Sequence, residues 1–396
     1  MRKRALLKEY SPVINRTRVA AAAAIVPLAV LAAACSSSSS TGSSTSSSPS
    51  AAKMVGPALP TTPVASTQPL TETGSTLLFP LFGSWASAYQ KQFVNSSSDP
   101  LVTITTGPTG SGIGIADAAT GTVDIGGSDA YLSSADMVKY PGLLNIALAI
   151  SAQQVNYYVP GVKNLKLDAT VLAEIYTGKI TSWNDAAIKA LNPGVPLPNL
   201  KIVPLHRADG SGDTFLFTSF LNAAAPSLWP SSNVNTTVNW PSVSGALAET
   251  GNSGMVSGCA ATKGCIAYIG ISYLQKTEAA GLGTAALKNK SGSYELPTAA
   301  SISAEANAFT ASTPASEAIS MIYGPAADGY PIVNYEYAIV KTSQSSGTQA
   351  EDIRAFLHWA IHTGQDATTY LDAVDFQPLP ASVVQKSDAL ISKIGS

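Results

Sequence analysis

From Thr71 onward the chain switches repeatedly between two hydrophobic periods. Short apolar runs such as Val102-Thr-Ile-Thr105 and Val203-Pro-Leu205 read as strands, and between them apolar residues recur every three or four positions, as on one face of a helix. This alternation predicts an α/β fold. One helix is expected over about 80–93, with Trp85, Tyr89 and Phe93 one turn apart. Another is expected over about 212–224, burying Phe215, Phe217 or Phe220, and Leu221. A late helix contains Arg354, Phe356, Leu357, Trp359 and Ile361. Such aromatic stripes build core. An apparent strand over 122–125 runs into Gly126-Gly127-Ser128-Asp129.

A second pattern punctuates the first. Thr73-Gly74-Ser75-Thr76, Thr109-Gly110-Ser111-Gly112 and Asp209-Gly210-Ser211-Gly212-Asp213 each stand before a helical run. Each predicts an exposed helix N-terminus, because Ser and Thr cap helices and Gly turns the chain. A helix start carries up to four unpaired N–H groups and a partial positive charge, so three converging starts would form an anion receptor without a basic patch. The Gly126–Asp129 element at a strand end belongs with them, since ligands gather at strand ends in open α/β sheets.

The amino-terminal region has a different texture. Arg2, Lys3, Arg4, Lys8, Arg16 and Arg18 precede an uncharged stretch over 19–34 that ends at Cys35. The stretch is shorter than the roughly 20 residues of a membrane span and closes on small residues, as a cleaved export signal does. Leu31-Ala-Ala-Ala-Cys35 resembles a bacterial lipobox whose apolar lead residue sits one place early, so Cys35 is expected to carry the lipid. Residues 36–68 are rich in Ser, Thr, Pro and Ala, with Lys53 the single charge. They read as a flexible tether spanning on the order of 30 Å.

Composition narrows the chemistry. The 396 residues are 45% hydrophobic and only 12% charged. Removing residues 1–34 leaves 17 Lys and Arg against 24 Asp and Glu, a formal charge near −7. No basic stripe is present, so nucleic acid is not the expected partner. An anion would have to be held by local dipoles and one or two well-placed side chains; Arg207 offers a guanidinium fork, with Asp209 or Asp129 as its own partner.

Other chemistries fit poorly. Gly110-Ser-Gly112-Ile-Gly114 places Ile115 where a dinucleotide loop needs its third Gly, and no Gly-Lys-Ser/Thr follows a Gly-rich stretch. G-x-S-x-G is missing around Ser111 and Ser211, which leaves Ser211 with His206 as the one nucleophile and base to consider. His358 and His362 share a helix face, but the sequence shows neither an intervening Glu nor a third ligand, so no metal is expected. Cys259 and Cys265 suit a small disulfide-closed loop in an oxidising compartment.

These residues resemble a known family, the PstS phosphate-binding components of phosphate-specific ABC transporters, and most of all its mycobacterial and actinobacterial lipoprotein branch. The resemblance covers about 71–394. It is carried by Glu72-Thr-Gly-Ser-Thr-Leu-Leu78, Gly126-Gly-Ser-Asp-Ala130, Ile180-Thr-Ser-Trp183, Leu191-Asn-Pro-Gly194 and above all Arg207-Ala-Asp-Gly-Ser-Gly-Asp-Thr-Phe215. It implies that Ser75, Thr76, the backbone at Leu77, and Ser111 bind oxyanion atoms. It further implies that Asp129 accepts the phosphate proton, that Arg207 is the cationic fork, and that Ser211 with Gly212 forms the third cap. Asp213 stands where the Gram-negative pattern has Thr, as in the mycobacterial branch, and serves either as a second proton acceptor or as a carboxylate favouring its own helix start. The implied architecture is a two-lobed periplasmic-binding-protein (type II) fold, with one lobe from 69–156 plus 333–396 and the other from 157–332. The implied protein is a monomer without cofactor and not an enzyme. It would be anchored by lipid (palmitate) to the outer face of the cell membrane and would pass inorganic phosphate to ABC-transporter permease subunits. A secreted phosphatase or other hydrolase, and a surface adhesin retaining the fold, are the alternatives.

Overall fold

The computed structural model describes residues 58–64 and 69–396. The expected signal, Cys35 and most of the tether lie outside the described residues.

Two similar half-sheets share one long strand. In the first half, Leu70–Gly74 pairs in parallel with Ile104–Thr105 on one side and Ile125–Ser128 on the other; Val333–Lys341 then runs antiparallel to Ile125–Ser128. In the second half, Val203–Arg207 lies parallel to both Leu247–Glu249 and Cys265–Gly270. The strand Leu143–Tyr158 joins the two. Its residues 143–152 pair with Val333–Lys341, and its residues 153–158 pair with Cys265–Gly270. Parallel strands joined by helical crossovers leave their carboxyl ends free for a site. Among those ends are Gly74, Ser128, Arg207 and Glu249.

The predicted helices are present. Phe79–Gln92 has Pro80 in its first turn, where a missing N–H removes no intrahelical bond, and it buries Trp85 and Tyr89. Phe93 lies beyond the last turn, half-buried, its ring 4.6 Å from that of Tyr89. Gly212–Ala224 buries Phe217, Phe220 and Leu221, whereas Phe215 is half-buried and packs edge-on to Tyr131 at 5.5 Å. The late helix spans Gly347–Ile361.

Two strand expectations need correction. The strand expected over 122–125 is Ile125–Ser128, so the glycines lie inside it rather than past its end, and Val102 lies outside the short strand Ile104–Thr105. Gly126 and Gly127 are strand residues for a packing reason. The helix Ser111–Thr120 crosses so close that a Cβ on Gly126 would strike the Gly114 carbonyl oxygen, and one on Gly114 would lie 2.6 Å from the Gly127 oxygen. Close backbone approach overrides β-propensity here.

Candidate functional site

The second and third Gly-Ser elements open helices directly, Ser75 caps the turn that leads into Phe79–Gln92, and the fold brings the three together. Ser75 leaves the first strand and its Oγ accepts hydrogen bonds from the amides of Leu77 (3.0 Å) and Leu78 (2.9 Å). Ser111 opens the second helix behind Gly110, whose φ of 97° belongs to glycine. Ser211 caps the third, accepting from the Thr214 amide at 3.3 Å.

The expectation that these starts are exposed is overturned. Ser75, Ser111 and Ser211 are each at most 1% exposed. They are covered because the second and third loops press on each other. The Gly112 amide donates to the Gly210 carbonyl at 3.0 Å, and a Cβ on Gly110 would lie 2.6 Å from that same oxygen. Three further bonds bind residues 76–77 to the 252–272 region, one of them from the Asn252 amide to Thr76 Oγ1 at 3.3 Å. Asn252 Nδ2 donates to Thr76 Oγ1 at 2.9 Å, and Ser272 Oγ donates to the Leu77 carbonyl at 2.7 Å.

Asp129 stands at the meeting point. Ser75 Oγ donates to its Oδ1, and its own amide donates to Ser111 Oγ at 3.2 Å. A Cβ on Gly212 would collide with the Asp129 carboxylate and lie 2.5 Å from Ser111 Oγ. Ser75, Ser111, Asp129 and Gly212 therefore surround one spot, with Ser211 the residue before Gly212.

Arg207 ends the central strand of the second half. Its amide donates to the Tyr268 hydroxyl at 2.9 Å, and that ring stacks on Phe217 at 4.7 Å. The guanidinium grips Asp209 through Nε (2.7 Å) and Nη2, and reaches Asp213 Oδ2 through Nη1 at 2.8 Å. Of the two expected partners Asp209 is the one found, and Asp213 rather than Asp129 takes the other side of the guanidinium. Two of the five guanidinium N–H donors are not taken up by these carboxylates.

Asp213 does more than favour its helix. Fully buried, it accepts from Arg207, from Asn252 Nδ2 (2.8 Å) and from Gln153 Nε2 (3.2 Å). Burial and then the charge of Asp129 push its carboxyl up to about 7, against the pull of Arg207. Burial also raises Asp129 above the usual carboxylate range, although contacts with Glu336, Ser75, Arg207 and Ser111 oppose the rise. Glu336, buried beside Asp129, is driven well up by burial and by that neighbouring charge. Glu72, whose Oε1 faces Gly127, is raised to about 8 by burial. The site holds one guanidinium amid several carboxyl groups that resist ionising.

Sequence reasoning missed Gln153, Asn252, Tyr268, Asn334 and Glu336. Asn334 Nδ2 donates to the Asp129 carbonyl at 3.3 Å and to Glu336 at 3.0 Å. All five sit in strands or helices that read as core, and each meets the site across a long sequence separation. For the four strand residues, a polar group inside an otherwise apolar strand was the available signal; Asn252, at the start of the helix Gly251–Ala261, offered none. The hydrolase pairing is not formed: His206 stacks on Trp240 at 5.1 Å with Nδ1 against the Arg207 carbonyl, while Ser211 caps its helix.

Two features lie outside the cluster. Cys259 and Cys265 form a disulfide, Cα to Cα 5.3 Å, closing the turn between Gly251–Ala261 and Cys265–Gly270. His358 and His362 do have a third potential ligand, which corrects the premise of the sequence reading: Asp388 meets both imidazoles. Among the described residues no helix is long and apolar enough to cross a membrane.

The paired half-sheets and the buried cluster at their carboxyl ends define a two-lobed periplasmic-binding-protein fold. The family model described as "PBP superfamily domain" matches residues 38–363. "Phosphate-binding protein PstS" of Haemophilus influenzae is 30% identical over 332 residues, covering 82% of this chain and 93% of its own. "Phosphate-binding protein PstS 2" of Mycobacterium tuberculosis is 30% identical, covering 77% and 83%. Among solved structures, a phosphate-binding protein from Stenotrophomonas maltophilia superposes with a TM-score of 0.62 at 21% identity, over 81% of this chain and 93% of that one. A human phosphate-binding apolipoprotein gives 0.63 at 20% identity, with the same coverage. The chain belongs to the PstS family of the PBP superfamily.

Proposed function

We propose that this protein captures inorganic phosphate outside the membrane and delivers it to the permease subunits of an ABC transporter. The observation that carries the reading is the convergence of three buried helix starts on Asp129, with Arg207 in the same cluster. Family membership points the same way.

The carboxyl groups explain why phosphate suits the site better than sulfate. Charge does not separate sulfate from HPO₄²⁻, since both are dianions; the difference is the proton that one of them carries, and Asp129 is placed to accept it. HPO₄²⁻ and H₂PO₄⁻ bring their own protons, so Asp129 gains a charge-assisted hydrogen bond where sulfate offers only lone pairs. A required hydrogen bond of this kind can separate two ligands by roughly 10⁴ to 10⁵. Affinity comes from amide and hydroxyl donors. A micromolar Kd corresponds to about 8 kcal/mol, and hydrogen bonds to a charged group contribute about 1.5–3 kcal/mol each. In this reading Thr76, Ser111, Arg207, Ser211 and Gly212 supply them, joined by Ser75 and Leu77 when these turn from Asp129 and the Ser75 hydroxyl to the ligand, and Asp213 sets how the site responds to pH. No catalytic step is involved.

The lobes are residues 69–156 plus 333–396 and residues 157–332, hinged where the long strand changes partner. There the Gln153 amide donates to the Ile332 carbonyl at 3.1 Å. The bonds from Gly112 to Gly210, Asn252 to Thr76 and Ser272 to Leu77 act as latches of the closed form, which the transporter reads. The chain works as a monomer, tethered through a lipid on Cys35. Equilibrium dialysis with radiolabelled phosphate tests the proposal. Saturable retention of one phosphate per chain, with a chromogenic phosphate ester left intact, supports it; no retention, or ester turnover, overturns it.

A further inference from the structure

Away from the phosphate cluster, three donor atoms meet where the last two long helices end. His358 lies in the last turn of Gly347–Ile361 and His362 caps it. Asp388 lies in the last turn of Ala381–Ile391. Asp388 Oδ1 is 2.9 Å from His358 Nδ1, and Asp388 Oδ2 is 3.0 Å from His362 Nε2. One ligand atom from each residue lies within 4.8 Å of the other two, and the imidazole centroids are 4.2 Å apart.

We propose that His358, His362 and Asp388 bind a divalent transition-metal ion of the zinc class. Tetrahedral zinc with bonds near 2.0–2.1 Å requires ligand atoms about 3.3 Å apart. The two N···O separations already approach that value. Electrostatics favour a cation at the same place. Both helices direct the partial negative charge of their carboxyl ends here, and an aspartate in a last turn is unfavourable without a cation. Among the described residues the only ion-pair partners of Asp388 are these two imidazoles. Side-chain exposures of 22%, 43% and 29% leave an entry path for the ion and a position for water. Imidazole with carboxylate is a donor set that suits zinc, copper(II) or nickel(II) rather than magnesium or calcium. The bound ion would staple the C-terminal helix to its neighbour, apart from the residues that hold phosphate.

The test uses the full chain, purified without a polyhistidine tag and stripped with chelator. Titration with ZnCl₂ should give one ion per chain with a Kd in the micromolar range and raise the melting temperature. His362→Ala and Asp388→Asn should each weaken zinc at least about tenfold while phosphate binding stays unchanged, which also reports that the variants fold. On the unaltered chain, the ring-nitrogen NMR resonances of His358 and His362 should shift on addition of zinc. Binding weaker than about 1 mM, zinc binding unaffected by both substitutions, or unmoved imidazole resonances would each overturn the proposal.

Discussion

The hydroxyl of Ser75 donates to the carboxylate of Asp129 while accepting two amide hydrogen bonds from the helix start that follows it. A single oxygen thus links an anion-favouring helix end to a carboxylate, two groups that would otherwise select ligands of opposite sign. The link makes sense for a ligand that is both an anion and a proton donor.

Replacing Asp129 with Asn keeps the shape and removes the obligatory acceptor. Phosphate affinity should fall about ten- to a hundredfold, the loss of one charged hydrogen bond, while sulfate affinity holds or rises. Calorimetry with the two anions on the variant measures this, and unchanged selectivity would remove the proton-acceptor argument.

Asp213, raised to about 7, gives the site a charge that changes across the neutral range. As pH rises from 6 to 8 it ionises, competes for Arg207 and repels the ligand, so wild-type affinity should decline more steeply than that of Asp213→Asn. Parallel pH profiles for the two proteins, with only stability lowered in the variant, would assign Asp213 a purely structural role.

Glu72 makes a prediction about stability. Its carboxyl is raised to about 8 in the fold, against about 4.3 in an unfolded chain. The native state therefore binds more protons than the unfolded one, and stability falls as pH climbs between those values. Glu72→Gln should flatten that decline in a series of melting temperatures from pH 5 to 8.

Gly212→Ala adds one methyl group against the Asp129 carboxylate and Ser111 Oγ. Overpacking of this kind costs about 1–3 kcal/mol, so phosphate binding should drop about ten- to a hundredfold although Ala favours helices. Removing the disulfide with Cys259→Ser and Cys265→Ser should lower stability by about 2 kcal/mol, as expected for so short a loop, and leave phosphate affinity alone. Denaturant titration and dialysis on the same samples distinguish the two effects.

The legible parts of this molecule were those set by local rules. Helices around Trp85, Phe217 and Phe356 follow from apolar spacing, and the Gly-Ser elements follow from what a helix start demands of its first residues. Their burial was not legible, because it depends on Gly112 meeting Gly210 across about a hundred intervening residues. Nor were Gln153 and Asn252, which reach Asp213 from distant segments. Gly126 and Gly127 misled for a related reason, since only tertiary contacts, the helix at Gly114 against Gly126 and the Glu72 carboxyl against Gly127, explain glycine inside a strand. His358 and His362 looked unsupported until the last helix brought Asp388 between them.

On this proposal a buried carboxylate among helix starts selects an anion by its proton. Competition dialysis settles it most directly: wild-type protein loaded with radiolabelled phosphate at pH 7 and challenged with a thousandfold excess of sulfate. The label should stay bound and be released by an equal excess of unlabelled phosphate; release by sulfate would rule out selection by the ligand's proton.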